Sequence, residues 1–151
     1  MKQYALCLLV AVCASFTNGC SQRKSVDLPN AKAERLEVLR TINVSRVETK
    51  GVYLVRSDED LQQLTGDTVP EDVDFSTELV VIVACGECNT TGHSVEIQGM
   101  ALQGDALQVF PSLSWPKGDR PVGMAITFPT HAVVIQKLAK SVNVEAVWLN
   151  D

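Results

Sequence analysis

A run of six aliphatic residues at positions 79–84 constrains the fold more than any other stretch of this chain. The run is Leu-Val-Val-Ile-Val-Ala, and turn-forming segments lie on both sides of it. A short apolar run rich in β-branched side chains is typical of a strand whose two faces are both buried. We therefore predict that the rest of the domain is organised around this strand.

The loop that follows the strand carries the most unusual chemistry in the sequence. Residues 86–92 are rich in Gly, Asn and Thr, and Cys85, Cys88 and His93 lie in or beside them. Residues 94–98 then alternate apolar with polar side chains, which predicts a second strand with one face in water. If the chain has a functional site, we expect it on this loop.

Length, composition and charge are those of an ordinary globular domain. The chain has 151 residues, of which 46% are hydrophobic and 21% charged, and this predicts one domain with a substantial core. The formal net charge is −5 and no block rich in Lys and Arg occurs, so a nucleic-acid partner is not expected.

The N-terminal segment has the pattern of an export signal. A positive charge precedes an apolar run at residues 4–16, which is too short to span a membrane as a stable helix, and Gly19 precedes Cys20. This pattern resembles a bacterial lipoprotein signal. The resemblance implies that residues 1–19 are a signal peptide and that Cys20 carries lipid, palmitate included. Thr17 departs from the usual leucine, and an ordinary secretory signal or a short buried segment is the alternative.

The same resemblance implies a subcellular location. Residues 20–33 are polar and would form a tether, followed by a single globular domain at residues 34–151. Ser21, rather than Asp, follows the lipidated cysteine and points to the outer membrane of a cell with two membranes. The predicted location is the bacterial cell envelope, with the domain facing the periplasm.

Loss of the signal would leave a single pair of thiols. Two of the five cysteines lie in the predicted signal peptide and Cys20 would carry lipid, so Cys85 and Cys88 remain. In the oxidising compartment that an exported protein meets, we predict that this pair forms a disulfide. On an extended strand their Cα atoms would lie about 10 Å apart, beyond disulfide reach, so Gly86 must bend the chain.

The remaining pattern predicts an α+β domain with a mainly antiparallel β sheet or sandwich and one short helix. The helix is expected at residues 58–65, because Ser57 can cap its start, three acidic residues fill its first turn and Gly66 suits its end. About seven to eight strands are expected, drawn from the segments 36–44, 52–55, 79–84, 94–98, 101–103, 106–109, 122–128, 132–135 and 142–149.

Two longer connections are predicted to be loops. Residues 67–74 form an acidic run without the ligand spacing of an EF-hand, which favours a solvated surface over a calcium site. Residues 110–119 contain two prolines, and Trp115 within them is predicted to be a lid on the core.

Residues 74–138 carry the pattern of a known family. The parts of the pattern are Asp74-Phe75, Gly86-Glu87, Thr90, Gly92, Ser94-Val95-Glu96-Ile97, Trp115-Pro116-Lys117-Gly118 and residues 124–134. In these parts the chain resembles the C-terminal domain of the protease-complex subunit PrcB family. The resemblance implies a non-catalytic, exported, often lipid-anchored domain, and the named relative supports the maturation or stability of a partner protease.

The loop departs from this family at three positions. The family's loop usually has no cysteine, whereas here Cys85 and Cys88 flank the glycine and glutamate, and Asn89 stands where a proline is common. These departures point to a specialised loop chemistry in this chain.

Four interpretations of the loop remain open. It can be a turn that a disulfide staples, or a redox motif of thioredoxin-like spacing that lacks the usual helix after its first thiol. Cys85, Cys88, His93 and His131 offer four zinc-type ligands, although without the paired spacing of a zinc finger. Residues 89–92 are also similar to the Asn-Pro-Thr-Thr-Gly loop of chagasin-type cysteine-protease inhibitors, which suggests a contact loop.

Catalytic signatures do not appear in the sequence at recognisable spacing, whether a Ser/His/Asp set, paired carboxylates, a phosphate-binding loop or a dinucleotide fingerprint. We therefore predict a non-catalytic domain, with no cofactor or metal, that docks an exported protein partner such as a protease or its precursor. The alternative is a Cys-x-x-Cys thiol–disulfide or zinc-binding protein. The contact surface is expected on the loops 86–92, 115–120 and 129–131. Its residues are Gly86, Glu87, Asn89, Thr90, Thr91, Gly92, His93, Trp115 and His131.

Overall fold

Two four-stranded sheets pack face to face, and one short helix covers the outer face of one of them. The structure is a computed structural model, and it describes residues 33–66, 73–116, 118 and 122–149. The predicted signal peptide, the lipid site at Cys20 and most of the predicted tether lie outside these residues, as does most of the acidic loop at 67–74. Within the described part of the chain, no helix has the length and apolar character needed to cross a membrane.

The strands form two sheets that have no strand in common. The elements in chain order are β1 (Glu34–Arg35), β2 (Arg40–Ile42), β3 (Gly51–Val55), α1 (Asp58–Thr65), β4 (Glu78–Ala84), β5 (Ser94–Gln103), β6 (Ala106–Ser114), β7 (Thr130–Gln136) and β8 (Asn143–Ala146). Sheet A has the strand order β1-β5-β6-β8, and sheet B has the order β2-β7-β4-β3. All neighbouring strands are antiparallel except β6 and β8, which run parallel. The predicted fold class is confirmed.

Strand β4 is buried on both faces, as its aliphatic run predicts. Leu79, Val81 and Val83 belong to the core between the two sheets. Val80 and Ile82, which alternate with them, point to the opposite face of sheet B and pack in a second cluster with Leu61 of α1. A continuous apolar run is therefore stable here because each face of the strand has its own covering layer.

Helix α1 has the predicted bounds and the predicted caps. The Ser57 Oγ atom accepts a hydrogen bond from the Asp60 N–H at 3.2 Å, which caps the first turn. The helix ends at Gly66, whose φ of 75° is left-handed and whose N–H donates to the Gln62 carbonyl at 2.8 Å. The helix places Leu61, which is fully buried, against the outer face of sheet B.

The strand predicted at residues 36–44 is present but shorter, as β2, and a separate short strand, β1, precedes the predicted range. Strand β1 pairs with β5 in sheet A, whereas β2 pairs with β7 in sheet B, so the chain changes sheet between them. Arg40 interrupts the apolar pattern because its guanidinium reaches across β7 to the Glu78 carboxylate, with N–O distances of 2.6 and 2.8 Å. This bidentate ion pair fastens β2 to the start of β4.

The boundaries of the later strands also differ from those predicted. Residues 94–98 and 101–103 form one strand, β5, and residues 110–114 continue β6 instead of forming a loop. Pro111 is tolerated in β6 because it lies opposite Ile97, at a β-bulge where the regular hydrogen-bond ladder is interrupted. The predicted strand at 122–128 is absent apart from one bridge at Thr127, and β7 begins at Thr130. Residues 142–149 form a shorter strand than predicted, β8.

Candidate functional site

The chain bends directly after β4, at Gly86. This residue has a φ of 78°, and a Cβ atom on it would lie 3.0 Å from the Lys50 backbone nitrogen. Both the left-handed conformation and the close approach of another backbone segment favour glycine. The bend that the Cys-x-x-Cys spacing requires is present, and it begins the β4–β5 loop, residues 85–93.

The bend brings the two cysteine side chains together. Their Sγ atoms lie 3.2 Å apart, both residues are buried, and both thiols are free in the structure. Burial and the hydrogen bond with Cys88 raise the pKa of the Cys85 thiol to about 11. A thiol with so high a pKa is rarely ionised near neutral pH, so Cys85 is a poor nucleophile.

A second segment, residues 123–129, runs beside the β4–β5 loop and is bonded to it along most of its length. Backbone hydrogen bonds of 2.8–3.0 Å join Cys85 to Pro129, Cys88 to Thr127 and Thr91 to Gly123. These bonds extend the pairing of β4 with β7 beyond the ends of both strands. The loop is therefore part of a rigid two-segment structure.

The two threonines of the loop bond mainly within this structure. The Thr91 Oγ1 atom accepts from the Gly123 N–H at 2.8 Å, and the Thr127 hydroxyl donates to the Thr90 carbonyl at 3.1 Å. The Thr90 hydroxyl also lies 3.1 Å from Nε2 of His93. Their side chains thus hold the loop in shape, while Glu87 and Asn89 are exposed to solvent.

His93 and Trp115 pack edge to face at one end of the loop. Their ring centroids are 5.0 Å apart and the planes meet at 80°. The Nδ1 atom of His93 is buried and has no hydrogen-bond partner among the described residues. Trp115 is 65% exposed, so its predicted role as a lid on the core is wrong. It follows directly after the end of β6 at Ser114 and lies outside the buried clusters.

His131 lies apart from this group, in β7. Its Nδ1 atom accepts a hydrogen bond from the Ile97 N–H at 3.1 Å, so it connects sheet B to the bulge in sheet A. Burial lowers the pKa of this imidazole, and the charge of the Glu96 carboxylate acts in the opposite direction without cancelling the effect of burial. No three His, Cys, Asp or Glu side chains among the described residues come together as metal ligands. The structure therefore does not gather the four zinc-type ligands considered above.

Comparison with known families identifies the segment that contains this site. Residues 79–136 match the family model described as PrcB C-terminal. The match covers 58 of the 151 residues, and over this segment the chain is similar to the PrcB C-terminal family. No curated protein and no solved structure matches the chain. The PrcB C-terminal segment runs from β4 to β7 and leaves β1, β2, β3, α1 and β8 outside the match.

The PrcB C-terminal segment also carries exposed apolar residues that the sequence analysis did not assign to the site. Val122, Met124 and Ile126 are 38%, 94% and 62% exposed, and with Trp115 they form what we call the apolar patch. Gly92 joins its two parts, because a Cβ atom there would lie 3.1 Å from the Pro116 ring and 3.6 Å from the Val122 side chain. In the sequence, Val122, Met124 and Ile126 alternate with smaller residues. This alternation predicts a strand with one buried face, so it did not indicate an exposed patch.

Proposed function

We propose that this chain is a non-catalytic binding domain that docks a protein partner through the apolar patch and the β4–β5 loop beside it. The observation that carries the proposal is the exposure of the patch, which is greatest at Met124, 94% exposed. Clustered apolar side chains on the surface of a folded domain are typical of protein-interaction sites. Similarity of residues 79–136 to the family of a protease-complex subunit supports a protease, or its precursor, as the partner.

The rigidity of the patch supports a role in recognition. Backbone hydrogen bonds hold residues 123–127 against the β4–β5 loop, so little backbone freedom remains to be lost on binding. Burial of a Met or Ile side chain against a partner would contribute about 1.5–3 kcal/mol, which makes the patch a credible energetic centre for an interface.

The thiol pair gives little support to the rival function of a thiol–disulfide enzyme. Such enzymes activate their first cysteine by lowering its pKa at a helix N-terminus. Here burial raises the pKa of Cys85 to about 11, and the segment after Cys88 enters the loop and then β5, not a helix. We assign the pair a structural role, as a disulfide that fastens the start of the loop.

A lipid anchor at Cys20 and a place in the bacterial cell envelope complete the proposal. The N-terminal pattern of an apolar run followed by Gly19 and Cys20 supports both. A domain held at a membrane surface by a tether would meet exported partners at a raised local concentration.

Affinity capture with matched surface variants tests the docking surface. The full chain is immobilised and incubated with the exported proteins of its host, and captured proteins are identified by mass spectrometry. We expect an exported protein, and a protease in particular, to be retained by the wild type and lost with the double variant Met124→Ser and Ile126→Ser. The matched control, Val38→Ser with Leu39→Ser, removes exposed apolar side chains elsewhere and should retain the partner.

Two outcomes would overturn the proposal. One is equal retention of the exported protein by the wild type and the Met124/Ile126 double variant. The other is a disulfide-reductase or isomerase activity of the wild type that Cys85→Ser abolishes, which would establish the thiol enzyme instead.

A further inference from the structure

We propose that the outer edge of β3 accepts an extended segment of a protein as a further strand of sheet B, and that this segment carries an acidic residue at each end. The site involves β3, α1 and β8, which lie outside residues 79–136, so it goes beyond the proposed function and does not depend on the apolar patch. In strand addition, main-chain hydrogen bonds supply affinity and side chains supply specificity.

Strand β3 lies at the edge of sheet B and has one neighbour among the described strands. All five of its residues, Gly51–Val55, pair with β4. A strand that pairs on one side alone presents a row of unpaired N–H and C=O groups on its other side. Among the described residues, no backbone hydrogen bond joins residues 51–55 to any segment except β4. The outer row of β3 is therefore available to another backbone.

Residues 51–55 lack the usual protection of an edge strand against pairing. Natural edge strands are commonly guarded by their short length, by proline or by charged side chains. The sequence of β3 is Gly-Val-Tyr-Leu-Val, with no charge and no proline. It is also the longest of the four edge strands in the described part of the chain, since β1, β2 and β8 have two, three and four residues.

An open groove of about 560 Å³ runs along this edge. It is lined by residues 52–56, by residues 142–144 at the start of β8, and by Asp60, Gln63 and Leu64 of α1. Its volume falls within the range of clefts that hold ligands. The space beside β3 is therefore large enough for a short extended segment.

A cation flanks β3 at each end, and both cations reach the segment that contains β8. The Arg56 guanidinium donates to the Val142 carbonyl at 2.9 Å, directly before β8. The Lys50 ammonium lies 4.6 Å from the centroid of the Trp148 ring, after the end of β8. Asp60 is the acidic residue among those that line the groove, and its carboxylate accepts the Arg56 backbone N–H at 3.1 Å. The two cations are six positions apart, about 20 Å along a strand.

These charges specify the occupant. A segment paired with β3 would place its own residues opposite Lys50 and Arg56, where Glu or Asp would form cross-strand ion pairs. A second copy of this chain fits less well. The antiparallel register that pairs all five residues of β3 with those of another β3 sets Lys50 opposite the second copy's Arg56, and like charges directly opposite are destabilising. The edge therefore favours a partner segment with two acidic residues six positions apart and uncharged residues between them.

Two synthetic peptides test the charge preference. One is fluorescein-labelled Glu-Val-Thr-Val-Thr-Val-Glu, and the other has lysine in place of both glutamates. Each is titrated with the full chain, and binding is followed by fluorescence anisotropy. We expect the lysine peptide to bind about tenfold more weakly, because two attractive cross-strand pairs become repulsive.

Charge reversal in the protein provides the matched comparison. The double variant Lys50→Glu with Arg56→Glu should prefer the lysine peptide, by about fivefold to tenfold. The control, Lys137→Glu with Lys140→Glu, makes the same change of net charge at exposed residues outside the groove and should keep the wild-type preference. Thermal unfolding checks that both variants fold, and a reversed preference could come only from a folded site.

Methylation of the peptide backbone tests strand addition itself. Two further glutamate peptides carry N-methyl groups on the valines or on the threonines, so each loses donors from one of its two rows of N–H groups. Only one row of an added strand faces β3, so we expect one methylated peptide to bind at least about tenfold more weakly than the other. In the protein, the unmethylated glutamate peptide should slow amide hydrogen exchange at alternate residues of β3, as measured by NMR.

Each further outcome has a defined meaning. Equal binding of the glutamate and lysine peptides, or binding of neither, would overturn the proposal, and equal binding of the two methylated peptides would overturn strand addition. A concentration-dependent dimer in sedimentation that the glutamate peptide converts to monomer would make a second copy the occupant and overturn the assignment.

The apolar-patch variant separates this proposal from the proposed function. Met124→Ser with Ile126→Ser leaves β3 unchanged and should bind the glutamate peptide as the wild type does. If this variant and the wild type capture the exported protein equally while the peptide results hold, the proposed function fails and strand addition stands. If capture depends on the patch but the peptide results fail, strand addition alone is overturned.

Discussion

His131 joins the two sheets through a hydrogen bond that depends on its protonation state. Its Nδ1 atom accepts from the Ile97 N–H, which only a ring with an unprotonated Nδ1 can do. Burial keeps the folded-state pKa of this imidazole below its ordinary value of 6.5. A group with a lowered folded-state pKa stabilises the protein fully above the unfolded-state pKa, and this stabilisation is lost as the pH falls toward the folded-state value.

We therefore predict that the free energy of unfolding decreases as the pH is lowered from about 7.5 to 5.5, above the range in which most carboxylates titrate. His131→Asn offers an amide oxygen to the Ile97 N–H without titrating, so it should remove most of this slope. Urea unfolding across the pH range measures both. An unchanged slope in His131→Asn would contradict the prediction.

A comparison of Gly86 with Gly66 separates two costs of replacing a glycine: the strain of a left-handed backbone and the steric clash of an added Cβ atom. Both have left-handed φ, 78° and 75°, but a Cβ atom on Gly86 would meet the Lys50 backbone nitrogen at 3.0 Å, while one on Gly66 would meet nothing within 4 Å. We expect Gly66→Ala to cost about 1 kcal/mol from conformation alone, and Gly86→Ala to cost more, about 2–4 kcal/mol. Equal losses in urea unfolding would show that the segment at Lys50 moves aside freely.

At the scale of secondary-structure elements, the end of β4 and the start of its loop are predicted to be linked by a disulfide. Exchange with the disulfide of a thiol oxidant would form the Cys85–Cys88 bond and leave the oxidant as a dithiol. Because the closed loop is short, the bond should contribute only about 2 kcal/mol to stability. Protein isolated from its own compartment under non-reducing conditions should resist alkylation at both positions, as mass spectrometry would show. Two alkylated thiols would refute the prediction.

The elements that the sequence predicts well are those whose pattern is local. The aliphatic run of β4 and the capped helix α1 each contain their own signals, so their positions agree with the structure. The end of β6 was missed because Pro111 argues against a strand unless the bulge opposite it is known. Residues 122–126 carry an apolar alternation that normally indicates a buried face, and only the tertiary structure shows that no described element covers it.

Most of the candidate site likewise depends on pairing between distant segments. The sequence identifies the β4–β5 loop by its glycines and cysteines. It contains no local sign that residues 123–129 bond to that loop, since those contacts span more than thirty positions of the chain. Both segments fall within residues 79–136, the range that matches the PrcB C-terminal family model.

At the scale of the whole molecule, the predicted lipid anchor would hold the domain at a membrane surface. We expect Cys20→Ser to shift the protein from the membrane fraction to the soluble fraction, because a lipidated cysteine is the only anchor proposed here. Cys7→Ser is the control, since that residue lies in the predicted signal peptide and should not affect anchoring. Membrane association of Cys20→Ser equal to that of the wild type would exclude the anchor.

The strand orders of the two sheets determine when, during synthesis, each strand first has a partner to pair with. Strands β1 and β2 pair with β5 and β7, so the earliest strands have no partner until much of the chain has been made. Strand β8 lies beside β6 and completes sheet A only after the seven strands before it have been made. Contacts between such distant positions form slowly, in the range of milliseconds to seconds for β-rich domains. We expect the nascent chain to stay unfolded for most of its synthesis, a state in which it can still be threaded through a narrow channel.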